Sequence, residues 1–170
     1  FTVTASSSEL HLSSLTLTEG RVGLEYYNSG HFGGSMYVGG SAVLNLTDIT
    51  VNGCGEGIAC AYQGAAILAT SKKVFVSAST FVSITAKRGG ALYVYNNGEM
   101  HIESTNFTRN SGVLNIGTGL VTFSGGNNVF AHNTGNIQYR YSNAAYRYGA
   151  NFSSCPPSTF APATFPPVVG

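Results

Sequence analysis

One group of acidic and imidazole side chains has the residue types and spacing for chemistry. Glu99 and Glu103 lie near each other with His101 between them, and a β-strand would place His101 and Glu103 on one outward face. A carboxylate beside an imidazole can transfer protons or help to bind a metal ion. The alternative is an ordinary polar face turned to solvent. We favour this alternative, because no His-x-His or Cys/His ligand spacing accompanies the group.

The small number of carboxylates argues against an enzyme that cleaves glycosidic bonds. Such cleavage generally uses two carboxylates at a defined separation, whereas the chain has one aspartate, Asp48, among its seven acidic residues. His31 and His132 are expected in loops. Glycine pairs such as Gly125-Gly126 do not lie between a strand and a helix, so they predict turns and not phosphate-binding loops. We therefore expect no enzyme activity, no cofactor and no metal site.

The composition indicates an extracellular β-protein. Of the 170 residues, 43% are hydrophobic and 9% are charged, against about 25% charged in a typical soluble domain. Gly, Ser, Thr and Asn are abundant instead, which suits strands and turns better than helices. The net charge of +1 comes without a basic stripe. No apolar run approaches the roughly 18 residues of a membrane helix. We expect no nucleic-acid partner and no membrane span.

Three sequons and three cysteines point to the same location, outside the cell or on its surface. The sequons predict N-glycosylation at Asn45, Asn106 and Asn151. Cys54 and Cys60 enclose five residues, two of them glycine, and such a loop can bring the two Cα atoms within the distance of a disulfide. Cys155 is then left for an intermolecular bond. The alternative is that Cys155 pairs with one of the other two.

A short apolar pattern recurs five times along the chain and predicts stacked strands. Each copy follows a glycine, and two inward columns result: Met36/Ala66/Leu92/Leu114/Ile137 and Val38/Leu68/Val94/Ile116/Tyr139. A second strand recurs between the copies as Leu10-His11-Leu12, Leu44-Asn45-Leu46, Val74-Phe75-Val76, Met100-His101-Ile102 and Val121-Thr122-Phe123. A third column contains Leu15, Ile49, Phe81, Phe107 and Phe130. Repeats of 20–30 residues built from strands and turns predict a solenoid, and a parallel β-helix of about six coils explains the columns.

The best-formed repeats resemble a known family. Gly89-Gly90-Ala91-Leu92 resembles its GGA[ILV] motif, and Phe107-Thr108-Arg109-Asn110 and Phe130-Ala131-His132-Asn133 resemble its FxxN motif. The family is the polymorphic outer membrane proteins of chlamydiae, with related secreted β-helix proteins. The resemblance covers roughly residues 30–140, and Phe81-Val82-Ser83-Ile84 departs from it by lacking the Asn. It implies an all-β, right-handed parallel β-helix with surface, adhesive or assembly roles.

Both ends of the chain carry candidate interface residues. Residues 1–150 are expected to form the β-helix, and residues 151–170, with all five prolines in the last 16 positions, an extended arm or linker. A β-helix leaves unpaired backbone groups at both ends, and open edges invite pairing. The candidate assembly residues are aromatic or apolar and lie near the ends of the chain: Phe1, Val3, Tyr139, Tyr141, Tyr146, Tyr148, Phe160 and Phe165.

These features predict a secreted, glycosylated structural subunit that stacks head to tail into an extracellular filament, or a surface adhesin. The expected partners are further copies of the chain, with glycans or other cell-surface proteins as additional candidates. The alternative is a carbohydrate-binding or carbohydrate-active, lyase-like β-helix protein. An exposed groove lined by carboxylates would favour that alternative.

Overall fold

The structure, a computed structural model, is all-β in the part of the chain that it describes. That part comprises residues 2–5, 9–18, 35–53, 61–63, 66–70, 73–88, 90–116, 119–124, 127–134, 138–139 and 145–148, and it contains no helix. The strands, in chain order, are β1 (Thr2–Ala5), β2 (Glu9–Thr18), β3 (Met36–Gly40), β4 (Val43–Asn52), β5 (Ala61–Gln63), β6 (Ile67–Thr70), β7 (Lys73–Ser77), β8 (Thr80–Val82), β9 (Ala86–Arg88), β10 (Leu92–Tyr95), β11 (Gly98–Glu103), β12 (Asn106–Thr108), β13 (Leu114–Ile116), β14 (Gly119–Ser124), β15 (Val129–Ala131), β16 (Gln138–Tyr139) and β17 (Ala145–Tyr148).

The first sheet, sheet 1, follows the order of the chain. Its six strands lie in the order β1-β3-β6-β10-β13-β16, and every pairing among them is parallel. Each stretch of chain from one of these strands to the next is therefore one structural repeat. The five strands expected after a glycine supply β3, β6, β10, β13 and β16 of this sheet, and β1 is an additional member.

The second sheet, sheet 2, has nine parallel strands and divides into two ladders. β4 bends at Asp48, where φ is 56°, and β2 bends at Ser14, where φ is 50°. Before its bend β4 pairs with β7, and after it with β8. β11, β14 and β17 extend the first ladder, and β12 and β15 extend the second. The parallel strands thus form a curled sheet around an apolar interior. β5 and β9 form a separate parallel pair.

The strand registers confirm the inward columns of sheet 2. Leu10 pairs with Leu44, and Leu44 with Val74. The same column continues through the next two strands to Met100 and Val121. The parallel column two residues further along contains Leu12, Leu46, Val76, Ile102 and Phe123. Except in β2, these side chains are buried at 0–1% exposure.

The expected register of sheet 1 is wrong by one residue in the third repeat. Ile67, and not Ala66, pairs with Met36 and Leu92. Ala69, and not Leu68, occupies the next inward position beside Val38 and Val94. The shift places the large Ile67 side chain between two large neighbours in the core. Leu68 instead lies in register with Tyr37 and Tyr93, where it is buried outside the main core cluster.

The expected register of the third column is also wrong. Leu15 pairs with Ile49 as expected, but Phe81 pairs with Val51. The three phenylalanines form their own stack, with ring centroids 5.2 Å apart for Phe81 and Phe107 and 5.1 Å apart for Phe107 and Phe130. Stacked aromatic rings add stabilisation beyond the burial of their area. The phenylalanine of the FxxN motif therefore fills the core, as its spacing indicates.

The asparagine of the FxxN motif links each repeat to the one before it. Asn110 Nδ2 donates to the Phe81 carbonyl oxygen at 3.1 Å, and Asn110 Oδ1 accepts from the Ile84 amide at 3.0 Å. Asn133 makes the same two bonds to Phe107 and to the backbone amide of Asn110. The asparagines thus bond to the backbone of the preceding repeat.

The residue two positions after each of the three stacked phenylalanines has the same backbone geometry. Ser83, Arg109 and His132 have φ values of 53°, 56° and 56°, in the left-handed region that L residues rarely adopt. Glycine is required in the GGA motif for a different reason, the close approach of two backbones. A Cβ built on Gly90 would lie 2.2 Å from the Gly112 carbonyl carbon, so only glycine allows the two backbones to approach.

Candidate functional site

The outward face of sheet 2 carries the most varied side chains in the described residues. Its central column contains the middle residues of the recurring strand: His11, Asn45, Phe75, His101 and Thr122. Because the side chains of a strand alternate between faces, inward leucines and valines on either side direct these residues outward. We call this set the outer column. Its neighbours on adjacent strands are about 4.8 Å apart.

Phe75 and His101 form a stacked pair in the outer column. Their ring centroids are 4.9 Å apart with an interplanar angle of 13°. Phe75 is 37% exposed, whereas the apolar side chains on either side of it, Val74 and Val76, are buried. His101 therefore covers one face of the phenyl ring. The other face is directed towards the strand that carries Asn45.

Two small polar networks flank this aromatic pair. Asn45 Nδ2 donates to Glu9 Oε1 at 2.7 Å, and His11 Nε2 lies 3.3 Å from the same oxygen. Two residues earlier on the strands of the aromatic pair, Lys73 Nζ lies 3.3 Å from Glu99 Oε2. Ion pairs this exposed contribute about 0–1 kcal/mol each. They orient side chains on the face more than they stabilise the fold.

The structure brings Glu99 and His101 together, with Glu99 Oε2 3.9 Å from His101 Nε2. Glu99 also lies beside Lys73, and Glu103 is exposed at the end of the strand. No group of three or more His, Cys, Asp or Glu side chains that could hold a metal ion occurs in the described residues. The arrangement is that of a polar surface with paired charges.

Two of the three predicted glycosylation sites lie in described strands. Asn45 is half-buried in the outer column, and Asn106 is exposed in β12. The hydroxyl-bearing residues of their sequons, Thr47 and Thr108, are exposed and half-buried. Asn151 lies outside the described residues. Glycosylation of all three remains a prediction.

The predicted interface residues are only partly described. Val3 pairs with Val38 in sheet 1, and Tyr139 pairs with Ile116 in the last pairing of that sheet. Tyr146 and Tyr148 lie in β17 at the last strand of sheet 2. The remaining predicted interface residues and the three cysteines lie outside the described residues: Phe1, Tyr141, Phe160, Phe165, Cys54, Cys60 and Cys155.

Sequence reasoning missed two surface features. The first is the Phe75–His101 stack, whose signal was the recurrence of a variable residue between two apolar ones. The second is the exposure of Leu15, which is 38% although Leu15 belongs to an inward column. Its signal was the position of Leu15 in the first copy of a stacked pattern, where no described strand lies on the other side of β2.

Known proteins provide no guide to the role of these features. No family model, no curated protein and no solved structure matches the chain. No helix in the described residues is long and apolar enough to cross a membrane.

Proposed function

We propose that the chain is a right-handed parallel β-helix of about six coils, in which each structural repeat is one coil. Strand order in sheet 1 follows chain order, and the described pairings are parallel in both large sheets, which supports this reading. Connections between parallel strands of one sheet are right-handed in nearly all proteins, which supports the hand. Stacked coils would be about 4.8 Å apart.

We further propose that the protein is a secreted structural subunit that stacks head to tail into an extracellular filament. The observation that carries this proposal is the edge of sheet 2 at β2. β2 pairs with β4, and no strand in the described residues pairs with its other side. Leu15 is 38% exposed there, whereas its column neighbour Ile49 is 1% exposed. Leu10, Leu12 and Leu17 are also incompletely buried.

The opposite edge offers a complementary strand. Tyr146 pairs with Val121, and Tyr148 pairs with Phe123, so β17 occupies the register of the two inward columns that begin at β2. A second copy whose β2 paired with β17 would continue both columns and cover its own leucines. Contacts between unlike surfaces of this kind generate open filaments when they do not close into rings. The β2 edge is also compatible with a surface adhesin built from the same repeats.

The register of the proposed contact can be tested by cross-linking. In a stack that preserves the columns, position 147 of one copy lies beside position 11 of the next. The double variant His11→Cys/Arg147→Cys should form a ladder of disulfide-linked oligomers on a non-reducing gel. Ser13→Cys/Arg147→Cys displaces one thiol by about 6.6 Å along the strand and should form far fewer. Single variants report the background from the native cysteines.

The apolar part of the contact has its own test. Leu15→Lys should shift the native protein to monomers in sedimentation velocity, because a charge would be buried between copies. Tyr95→Lys is the matched control, since Tyr95 is 39% exposed on a strand within sheet 1. Equal cross-linking in both cysteine pairs, together with identical sedimentation of Leu15→Lys and the parent protein, would refute end-to-end stacking.

A further inference from the structure

The outer column places a glycosylation sequon directly beside an exposed aromatic ring. Asn45 is in register with Phe75 on the next strand, and Phe75 is in register with His101 on the one after. His101 covers one face of the phenyl ring at 4.9 Å. The opposite face of the ring is therefore directed towards Asn45, about one strand spacing away. Phe75 retains 37% of its accessible surface.

The contacts of Asn45 are compatible with an attached sugar. Its Nδ2 atom donates one hydrogen bond, to Glu9 Oε1 at 2.7 Å. A side-chain amide nitrogen carries two hydrogens, and one of them remains after a sugar is linked. The bond to Glu9 and a glycan can therefore coexist. Thr47, the third residue of the sequon, is exposed on the same face.

We propose that the N-linked glycan of Asn45 packs its first sugar residue against the open face of Phe75. This inference rests on the proposed secretion, because such glycans are attached in the secretory pathway. The apolar C–H face of a pyranose ring complements an aromatic face, and its hydroxyl groups remain free to bond to the polar neighbours Lys73 and Glu99. The contact covers the exposed ring and fixes the glycan on sheet 2.

Asn106 supplies an internal comparison. Its register neighbours are Thr80 and Val129, neither of which is aromatic. A glycan at Asn106 therefore has no aromatic ring among the described register neighbours of its attachment point. The same sugar should stabilise the fold when linked to Asn45 and have little effect when linked to Asn106.

The experiment compares proteins that each keep one described sequon. Asn106→Gln/Asn151→Gln retains Asn45, and Asn45→Gln/Asn151→Gln retains Asn106. Both are made in a secretory eukaryotic host behind a signal peptide, and the glycans are trimmed enzymatically to the first sugar. The sugar-free forms come from the same host with glycan synthesis blocked, so that both forms pass through the same compartment. Each is also made with Phe75→Leu, which keeps an apolar side chain without a ring.

The unfolding equilibrium constant in urea is the primary measurement. The sugar on Asn45 should lower it about three- to tenfold, the range of an aromatic contact. This effect should disappear with Phe75→Leu and be absent at Asn106. NMR of the trimmed protein should show ring-current upfield shifts of the first sugar's protons only when Phe75 is present.

Three results would overturn the inference: an unmodified Asn45 in the secretory host, an equal effect of the sugar with and without Phe75, or unshifted sugar protons. The cross-linking of His11→Cys/Arg147→Cys separates this inference from the proposed assembly. Loss of the ring contact leaves that cross-link unchanged, because Phe75 lies on β7 within the sheet and not at its edge.

Discussion

Replacement of Asn110 by alanine tests whether the hydrogen bonds from asparagine to the backbone of the preceding repeat hold neighbouring repeats together. Asn110 is 1% exposed, and its amide satisfies two main-chain groups of the preceding repeat: the Phe81 carbonyl and the Ile84 amide. Asn110→Ala leaves both groups without these partners in a dry environment. Each unsatisfied group costs about 1–3 kcal/mol, so the free energy of unfolding should fall by about 2–6 kcal/mol.

Urea denaturation followed by circular dichroism measures this loss as a lower transition midpoint. Asn133→Ala removes the same two kinds of bond, but Asn133 is only half-buried, so water can replace part of them and the loss should be smaller. Asn106→Ala is the surface control and should change the stability by less than about 0.5 kcal/mol. A loss below about 1 kcal/mol for Asn110→Ala, or one equal to that of Asn106→Ala, would contradict the reasoning.

Four other perturbations probe the core, the backbone and the surface. Leu92→Ala, at a fully buried site, should cost about 2–5 kcal/mol in urea denaturation, and a cost below 1 kcal/mol would place Leu92 outside the core. Arg109→Gly should be neutral or stabilising, because Arg109 has a φ of 56°, whereas Gly90→Ala should cost about 1–3 kcal/mol, because its Cβ would overlap the Gly112 backbone. Intact mass of the native protein before and after deglycosylation should show attached sugar, and an unmodified mass would refute glycosylation at Asn45, Asn106 and Asn151.

The inward columns of sheet 2 were predictable because large apolar residues alternate there with polar ones. Leu44 and Leu46 enclose Asn45, and Met100 and Ile102 enclose His101, so only one assignment of faces buries the apolar residues. The same alternation indicated which residues face outward. Burial on one face therefore determined the register without knowledge of the turns.

The register of the third repeat in sheet 1 was not predictable from the same reasoning. The segment from Ala65 to Ala69 consists of alanine, isoleucine and leucine, so a one-residue shift exchanges one apolar set for another. Alignment of the repeats on the preceding glycine gives the wrong register, because Ala66 and not Ala65 takes the position of Ala91. The Ala66 amide donates to the Ala91 carbonyl. Steric fit between Met36, Ile67 and Leu92 then decides the register.

The exposed Phe75 ring and its stack with His101 were not predictable, because burial does not constrain the residue types of the outer column. The residue type at each of its positions is unconstrained by the core, and it varies among His, Asn, Phe and Thr. A stack between Phe75 and His101 exists only because the parallel register brings them together across 26 residues of sequence. Columns that the core does not constrain are also the ones free to acquire a function.

The side-chain ladders between repeats give the stack a direction, and this direction bears on assembly. Ser79 Oγ accepts from the Ile49 amide at 3.1 Å, and Asn128 Oδ1 accepts from the Thr105 amide at 3.0 Å, in each case from the repeat before. Leu15 and Ile49 occupy the same column in the first two repeats, so this polar ladder does not extend to the β2 edge. The two edges of the stack therefore differ in chemistry. The β2 edge exposes leucines, whereas the last repeats carry side chains that hydrogen-bond to the backbone of the preceding repeat. Contact between the β2 edges of two copies would not reproduce the parallel register. A head-to-tail contact would reproduce it. The cross-link between positions 11 and 147 should therefore form in preference to any cross-link between two copies of position 11.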